Sequence, residues 1–402
     1  MRELPVYIEI CGNKKYAGSI WGDNAHDARF SYDEAYANEY PAISVSLPVS
    51  KRTFDPDRTR SYFEGLLPEG FLRHTLEEKG HSADYLDVLE ALGRECLGAV
   101  RIGDDESEGY RRLSGDEIWT LAAEGATIAA DMVLESHLSL TGASGKVGLY
   151  KKDNEWYLPV GISPSTYIVK QSHVRYEDIV INEQLCMMAA KRLGIEVPES
   201  SVVATNGKDI LFATKRYDRT ETDKKIRRLH QEDFAQALAL PKYETSAGTQ
   251  YLKQMFEIIE MFSASPIKDK LMLWEIIVFQ YFIGDTDGHL KNFSLLYSED
   301  LRSRRLAPAY DLVCTMLYPG TSGNVSIAIG GKLRAVEITR DNFEQEARML
   351  GISKPAMSIY DRLSEEYQAA IKAAAEELCI ALPQMEENVE QMGKRILAVR
   401  GQ

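Results

Sequence analysis

Residues 268–284, KDKLMLWEIIVFQYFIG, constrain the fold more than any other stretch of this chain. Apolar side chains occupy nearly every face of the helix that this stretch predicts, so the helix should be buried on all sides. The chain has 402 residues, which is ample length to bury a core and allows two or three compact units. Gly284 is expected to end the helix, because glycine tolerates the backbone of a helix C-terminus.

A polar segment, DTDGHLKN (285–292), follows this helix at once. A loop held at the end of a buried helix is a rigid place to present catalytic groups. Asp287 and Asn292 have the Asp-to-Asn spacing of a protein-kinase catalytic loop, in which Asp accepts a hydroxyl proton and Asn holds a metal ion. Asp285 is a rival for the role of the base, but only Asp287 has the five-residue spacing.

Asp311 is the second acidic residue of interest. After Asn292, a predicted strand, FSLLYS, leads into a second predicted strand, LRSRRLAPAYDLVC, which carries Asp311. The order Asn, hairpin, Asp is that of the two Mg²⁺ ligands in protein kinases. The sequence departs from the protein-kinase pattern at two places. Leu312 and Val313 follow Asp311 in place of Phe-Gly, and Thr286 precedes Asp287 in place of Arg.

Groups suited to phosphate binding lie upstream of this segment. TGASGKVG (141–148) has a strand-turn-strand context, and its glycines would let backbone N–H groups approach phosphate oxygens, although the spacing is not that of a Walker A motif. Lys170, in the predicted strand TYIVKQS, matches the position of the strand lysine of kinases, and Glu183 on the next predicted helix could pair with it. Five such parts in this order are much rarer than any one of them.

Charge and cysteine content argue against several classes of protein. A net charge of −14 argues against a chain that wraps nucleic acid by itself. The five cysteines are scattered and lack C-x-x-C spacing, so neither a zinc site nor a disulfide framework is predicted. The chain shows no signal-peptide pattern and no apolar run of about 18 residues, so the cytoplasm is the expected compartment.

Changes of periodicity predict an α+β fold in three segments. Residues 1–136 form a small β-rich and then helical subdomain, with a hairpin around Gly12-Asn13 and a short strand at AISVSLP (42–48). Residues 137–225 form a sheet-rich lobe that carries the Gly-rich loop. Residues 226–402 form a helical lobe that carries the catalytic and metal-binding loops.

This combination resembles the HipA-like serine/threonine kinases, which are the toxins of bacterial HipA–HipB toxin–antitoxin modules. The resemblance spans about residues 60–312. It rests on YFEGLLPEG (62–70), ALGRECLGAV (91–100), SLTGASGKVGLY (139–150), KRYDR (215–219), RLHQEDFAQAL (228–238), PKYE (241–244), DGHLKNFS (287–294) and LAPAYDL (306–312). It implies a two-lobed protein-kinase-like fold with a core shared with phosphatidylinositol kinases, and ATP and Mg²⁺ as cofactors.

The resemblance also implies a role for each matching residue. Asp287 would act as the general base or orient the acceptor hydroxyl, and Asn292 and Asp311 would bind Mg²⁺. His289 or Lys291 would touch the γ-phosphate, with a loop-bracing hydrogen bond as the alternative for His289. The residues expected to contact ATP are Gly142, Ala143, Ser144, Gly145, Lys146, Lys170, Lys215, Arg216 and Tyr217.

Regulation, substrate and partner are implied in the same way. Ser139 matches a serine that the family autophosphorylates, and Ser144 is a second candidate. A dianion there would repel the phosphates of ATP. The acceptor protein would be an aminoacyl-tRNA synthetase, as in known family members. A helix-turn-helix antitoxin of the HipB type would bind the chain, which would then meet DNA only through that partner.

Two other classes of function remain open. The first is a small-molecule or lipid kinase on the same core, which would need a basic or amphipathic membrane-facing patch, and no membrane contact is expected here. The second is a non-catalytic subunit that binds a regulator. The complete set Lys170, Asp287, Asn292 and Asp311 argues against the second class.

Overall fold

The computed structural model describes all residues except 68–76, 78–83, 105, 125–130, 134, 136–145, 172–175, 206–208, 223–224, 242–249 and 401–402. The described strands are β1 (Arg2–Ile10), β2 (Asn13–Gly22), β3 (Arg29–Tyr32), β4 (Val100–Ile102), β5 (Glu108–Arg112), β6 (Lys146–Lys152), β7 (Glu155–Gly161), β8 (Tyr167–Gln171), β9 (Ser200–Ala204), β10 (Ile210–Lys215), β11 (Arg219–Thr222), β12 (Lys225–Arg228), β13 (Gln231–Asp233), β14 (Ser294–Tyr297), β15 (Arg304–Leu306), β16 (Asn324–Ile329) and β17 (Lys332–Arg334). The described α-helices are α1 (Glu34–Glu39), α2 (Pro56–Phe63), α3 (Tyr85–Leu92), α4 (Gly115–Glu124), α5 (Ile179–Arg192), α6 (Phe234–Ala237), α7 (Tyr251–Phe262), α8 (Pro266–Ile283), α9 (Arg340–Met349), α10 (Ser353–Ala381) and α11 (Glu386–Ala398).

Backbone contacts divide the chain into two compact units. The first contains most of the strands and is made of Met1–Gln171, Thr205–Glu244 and Leu295–Arg304. The second contains the long helices and is made of Ser172–Ala204, Thr245–Ser294 and Arg305–Gln402. This mixture of sheets and helices confirms the α+β class, while the three-segment division at residues 136 and 225 stays a prediction. None of the helices in the described part of the chain is both long and apolar enough to span a membrane.

The first unit begins with a sheet in the strand order β3-β2-β1-β4. Along β1 the side chains of Leu4, Val6 and Ile8 are buried and alternate with more exposed neighbours, because successive side chains of a strand point to opposite faces. The β1–β2 hairpin confirms the predicted one. Its two turn residues, Cys11 and Gly12, have φ values of 49° and 75°, as a tight two-residue hairpin turn requires.

The strand predicted at residues 42–48 is wrong, because the segment is irregular. Several of its backbone groups are bonded to side chains, those of Tyr32, His230 and Glu232 among them. The N–H of Val45 donates to Glu232 Oε1 over 3.0 Å, and the Ser44 hydroxyl donates to Glu232 Oε2 over 2.5 Å. One buried carboxylate in β13 therefore holds a segment that its β-branched composition alone would make a strand.

The second sheet of the first unit positions the predicted phosphate-binding lysines. Strands β5, β7, β6, β8 and β10 lie side by side in this order, each antiparallel to the next. Leu149, Leu158, Val169 and Phe212 are buried on these strands and form part of its core. The sheet thus gives Lys146 and Lys170 a rigid base.

The second unit is built around α8, which confirms the predicted buried helix. Pro266 occupies its first turn, where a missing N–H costs nothing, and Gly284 follows its last residue with a φ of 73°. Trp274 is fully buried, and its ring N–H donates to the carbonyl of Ala356 on α10 over 2.9 Å. The polar segment predicted to be catalytic therefore begins at the end of a helix that is largely buried from Met272 onward.

Candidate active site

The backbone of the polar loop is held at Thr286 and at Asp287 itself. The N–H of Thr286 donates to the hydroxyl of Thr315 over 2.7 Å, and the Ser326 hydroxyl donates to the Thr286 carbonyl over 2.9 Å. The N–H of Asp287 itself donates to Asp285 Oδ1 over 2.9 Å. These three contacts leave the loop little freedom, which is the condition for precise placement of a reacting group.

Burial separates the two aspartates that compete for the role of the base. Asp287 is exposed, whereas Asp285 is only 4% exposed. Burial raises the pKa of Asp285 well above its ordinary value, and the nearby charges of Asp287 and Asp311 also act to raise it. Asp285 cannot reach an external hydroxyl, whereas the Asp287 carboxylate is accessible to one.

Asn292 is bonded directly to the residue five positions before it. Its side-chain Nδ2 donates to the carbonyl of Asp287 over 3.0 Å, and its backbone N–H donates to the carbonyl of His289 over 2.8 Å. Because the amide nitrogen donates to Asp287, the amide oxygen is the atom of this side chain that is chemically suited to a cation. The five-residue spacing is therefore closed by a hydrogen bond.

The prediction of a strand that carries Asp311 is wrong, because β15 ends at Leu306. Asp311 has a left-handed backbone with a φ of 56°, which a strand cannot accommodate and which is unusual for a residue other than glycine. Such strain is concentrated at functional positions, where the surrounding structure maintains it. The preceding residue, Tyr310, donates its hydroxyl to the carbonyl of Lys291 over 2.8 Å and lies 2.7 Å from the hydroxyl of Ser294. Tyr310 thus ties the segment before Asp311 to the segment that ends in Asn292.

The residues present fit a divalent cation. Asn292 supplies an amide oxygen and Asp311 a carboxylate, which are hard oxygen donors of the kind that Mg²⁺ prefers. Asn292 is 9% exposed and Asp311 is half-buried. The hydrogen bond from the Tyr310 hydroxyl to the Lys291 carbonyl connects the segment before Asp311 to the segment that ends in Asn292. Both candidate ligands are therefore held by the fold of the second unit.

Lys146 and Lys170 are brought together in the first unit. They are directly opposite each other in the antiparallel β6–β8 pair, so their side chains share one face of the sheet. Both are largely buried, at 7% and 8% exposure, and Lys170 Nζ lies 5.5 Å from the centre of the Phe212 ring on β10. Two neighbouring cations on one face suit an anion such as a phosphate chain.

The three residues predicted to line adenine lie at the end of β10, where Lys215 is the last residue of the strand and Arg216 and Tyr217 come directly after it. Lys215 is exposed, and the hydroxyl of Tyr217 donates to the side-chain oxygen of Gln231. The Arg216 guanidinium is fully buried and bonded to Asp218 and Glu95, over 2.7 Å and 3.3 Å for the shortest contacts. Any contact of Arg216 with a nucleotide would therefore be made by its backbone.

The remaining predicted residues have the following positions. His289 is half-buried, and its Nδ1 has no hydrogen-bond partner among the described residues. Lys291 is 9% exposed, and Glu183 is buried on α5 of the second unit. The Gly-rich loop lies outside the described residues, including its predicted ATP contacts and the two serines: Ser139, Gly142, Ala143, Ser144 and Gly145.

Sequence reasoning missed the residues that support the loop. Tyr310, Thr315 and Ser326 each bond its backbone. Tyr310 and Thr315 lie close to Asp311 in sequence, and this closeness is the sequence feature that could have identified them as supporting residues. Ser326, on β16, lies 39 positions beyond Asp287 and carries no sequence pattern that distinguishes it.

Profiles of two protein domains match the chain. The HipA N-terminal domain matches residues 8–103, and the HipA-like C-terminal domain matches residues 138–379. The second match covers more than half of the chain.

Individual relatives match over most of their length. A protein of Sinorhizobium fredii named as a candidate kinase, Y4mE, is 31% identical over 367 residues, which cover 87% of this chain and 86% of the relative. The serine/threonine-protein kinase toxin HipA of Shewanella oneidensis is 26% identical over 375 residues, covering 86% and 83%.

A solved structure shares the fold. A chain in the complex of HipA, HipB and operator DNA from Shewanella oneidensis superposes with a TM-score of 0.81 at 21% identity, covering 98% of this chain and 96% of that one. This similarity confirms the expected kinase-like fold of the HipA type. Together with the domain match over residues 138–379 and the identity to Y4mE, it shows that the chain belongs to the HipA-like kinase family.

Proposed function

We propose that this protein transfers the γ-phosphoryl group of Mg·ATP to a serine or threonine hydroxyl of a bacterial protein. One observation carries the proposal. The Asp287 carboxylate is exposed, and the backbone carbonyl of Asp287 accepts a hydrogen bond from the side chain of Asn292. This arrangement offers a base to an incoming hydroxyl and holds a metal-ligand candidate beside it. Membership of a family of kinases supports the reaction class.

The transfer requires positioning and charge neutralisation more than covalent chemistry. The acceptor oxygen forms a bond to the γ-phosphorus while the bond to the bridging β,γ-oxygen breaks, and ADP leaves. Asp287 orients the hydroxyl and takes its proton. Mg²⁺, held by Asn292 and Asp311, would offset negative charge on the phosphates. Lys146 and Lys170 would neutralise further phosphate charge, and His289 or Lys291 would contact the γ-phosphate.

Autophosphorylation belongs to the same proposal. Ser139 is the first candidate acceptor within the chain and Ser144 the second. A phosphate on either serine would place about two negative charges in the Gly-rich loop and oppose ATP binding. Peptide mapping after incubation with Mg·ATP tests this part, and phosphate that persisted on an Asp287→Asn protein made and assayed in the same way would remove its autocatalytic component.

A protein substrate and a protein partner complete the proposal. The name of the Shewanella relative, a serine/threonine-protein kinase toxin, supports a protein acceptor, and an aminoacyl-tRNA synthetase is the candidate. The solved complex of HipA with HipB and operator DNA supports an antitoxin of the HipB type as the partner. The net charge of −14 favours a partner with a basic surface, and contact with DNA would be indirect.

Transfer of labelled phosphate distinguishes this function from its rivals. Purified protein is incubated with γ-labelled ATP, Mg²⁺ and a dialysed bacterial lysate, with the Asp287→Asn variant beside it. Label on serine or threonine of a protein, seen only with the wild type, is the expected result. Label on a small molecule or lipid would favour the other kinase class. Binding of a regulator without any transfer would favour a non-catalytic subunit.

A further inference from the structure

A small pocket of about 20 Å³ lies behind the catalytic loop in the second unit. Its polar lining includes Gln280 near the end of α8, Asp285 in the loop and Ser326 on β16, and the backbone of Gly288 borders it. Tyr281 and several isoleucine and valine residues form the rest of its wall. A pocket of this size has room for one water molecule, since a single water requires about 10–15 Å³ measured in this way.

Two side chains that line this pocket each have a buried polar atom without a hydrogen-bond partner among the described residues. These atoms are Oδ2 of Asp285 and Nε2 of Gln280, on side chains that are only 4% and 6% exposed. Buried polar groups are almost always bonded to protein or to ordered water. Unpaired atoms from two side chains that line one pocket of one-water size define a site where a water molecule can bridge them.

The same two residues hold the loop from both ends. Asp285 accepts the N–H of Asp287 at Oδ1 over 2.9 Å, and the backbone carbonyl of Gln280 accepts the N–H of Asp285, also over 2.9 Å. The side-chain amide of Gln280 packs against Gly288 so closely that a Cβ there would lie 2.7 Å from Oε1. Asp287 is thus flanked by two contacts that both depend on the Gln280–Asp285 pair.

We propose that Gln280, Asp285 and one water molecule bound between them form a support that positions Asp287 for transfer. The support rests on the proposed function, because its purpose is to fix the base in that reaction. Asp285 and Gln280 are positioning residues, since neither touches substrate. The water satisfies the two unpaired atoms and so keeps the Asp285 carboxyl in the orientation that receives the Asp287 N–H.

Substitutions of Asp285 distinguish a positioning residue from a second base. Asp285→Asn keeps the oxygen that accepts the Asp287 N–H and places a donor where Oδ2 faces the pocket. Asp285→Ala removes both. We expect Asp285→Ala to lower the single-turnover transfer rate at saturating ATP by about 30-fold or more, with the KM for ATP within about threefold of wild type. Asp285→Asn should restore most of this loss.

Gln280→Met tests the other half of the support, with Gln254→Met on α7 as the matched control. Gln254 is also a helix glutamine with an unpaired side-chain oxygen, but it does not line the pocket. We expect Gln280→Met to lower the rate about tenfold and Gln254→Met to leave it unchanged. A wild-type rate in Gln280→Met, or an Asp285→Asn protein as inactive as Asp287→Asn, would overturn the proposal.

Hydrogen exchange of the Asp287 amide gives a readout that does not need activity. Its exchange should be at least tenfold faster in Asp285→Ala than in wild type and near wild type in Asp285→Asn, while amides of α10 remain unchanged in both. If the wild-type protein transfers no phosphate, the proposed function fails, and the exchange result still decides whether the support exists. A high-resolution crystal structure that showed a dry pocket would overturn the role of the water.

Discussion

The side chain of Asn292 donates a hydrogen bond to the backbone carbonyl of Asp287 over 3.0 Å. This contact joins the base candidate and a metal-ligand candidate into one structural element. It explains why the spacing between them matters, because a residue one position nearer or farther along the loop would not reach that carbonyl in the same way. Under the proposed function, Asn292 would have two separable tasks, orienting the loop with its nitrogen and holding a cation with its oxygen.

The substitution Asn292→Asp separates these tasks. Aspartate keeps an oxygen ligand but has no N–H to donate to the Asp287 carbonyl. We expect the transfer rate at saturating Mg²⁺ to fall roughly 10–100-fold, because the loop is less well placed, while the Mg²⁺ concentration for half-maximal rate changes less than about threefold. Initial rates over a Mg²⁺ titration measure both quantities. A wild-type rate in this variant would mean that the hydrogen bond has no part in transfer.

Asp311→Gly should lose activity without losing stability. Glycine adopts a φ of 56° freely, so relief of backbone strain offsets its greater freedom in the unfolded chain, and the free energy of unfolding should stay within about 1 kcal/mol of wild type. Transfer should fall roughly 100-fold or more, since one of the two proposed Mg²⁺ ligands is gone. Urea unfolding and labelled-ATP transfer measure the two effects.

The matched control for Asp311 is Asp153→Gly, because Asp153 also has a positive φ, of 50°, in the turn between β6 and β7. That variant should resemble Asp311→Gly in stability and wild type in transfer. Full activity in Asp311→Gly would show that Asp311 does not bind the metal.

Lys170→Met should weaken ATP binding. A charge-assisted contact with phosphate contributes about 1.5–3 kcal/mol, so the Kd for ATP should rise roughly 10–100-fold. The control is Lys152→Met, at the exposed end of β6. Isothermal titration with Mg·ATP measures both proteins, and equal affinities would remove Lys170 from the nucleotide site.

A buried ion cluster in the first unit gives a prediction about pH. Glu95 is fully buried and bonded to Arg216, Arg219 and Arg228. Burial alone would raise the pKa of Glu95, but the three guanidinium groups outweigh it and lower the pKa from 4.5 to about 2. Because the folded-state pKa is the lower one, the stabilisation is present above about pH 4.5 and is lost as the pH falls towards 2.

Glu95→Gln should therefore destabilise the protein by about 3–5 kcal/mol at pH 7, because it leaves three buried guanidinium groups with only two carboxylates among the described residues, those of Asp218 and Glu9. The difference from wild type should shrink between pH 4.5 and pH 3. Urea unfolding at a series of pH values measures it, with Glu108→Gln on the exposed edge of β5 as the control. A difference that stayed constant down to pH 3 would show that the carboxylate charge of Glu95 is not the source of the stability.

The sequence predicts the parts of the site that are close together along the chain. Apolar residues on every face identify α8 as buried, Gly284 marks its end, and five-residue spacing selects Asp287 over Asp285. These are local properties of the backbone and of side-chain periodicity, so they can be read without a tertiary structure.

Contacts between distant residues could not be predicted in the same way. Glu95 meets Arg216 across 121 positions, and Ser44 meets Glu232 across 188. The second of these contacts replaces the strand that residues 42–48 would otherwise favour. The pairing of Lys146 with Lys170 depends on strand register, which the sequence leaves open. Tertiary packing determines each of these contacts, and the periodicity of the sequence does not predict them.

The most direct test of the proposed reaction is the single-turnover rate of phosphate transfer from Mg·ATP by Asp287→Asn beside wild type, with ATP affinity measured on the same preparations. Loss of a general base lowers such rates by about 10²–10⁴-fold. We predict a fall of that size with a Kd for ATP within about threefold of wild type. A rate within about twofold of wild type would contradict the assignment of Asp287 as the base.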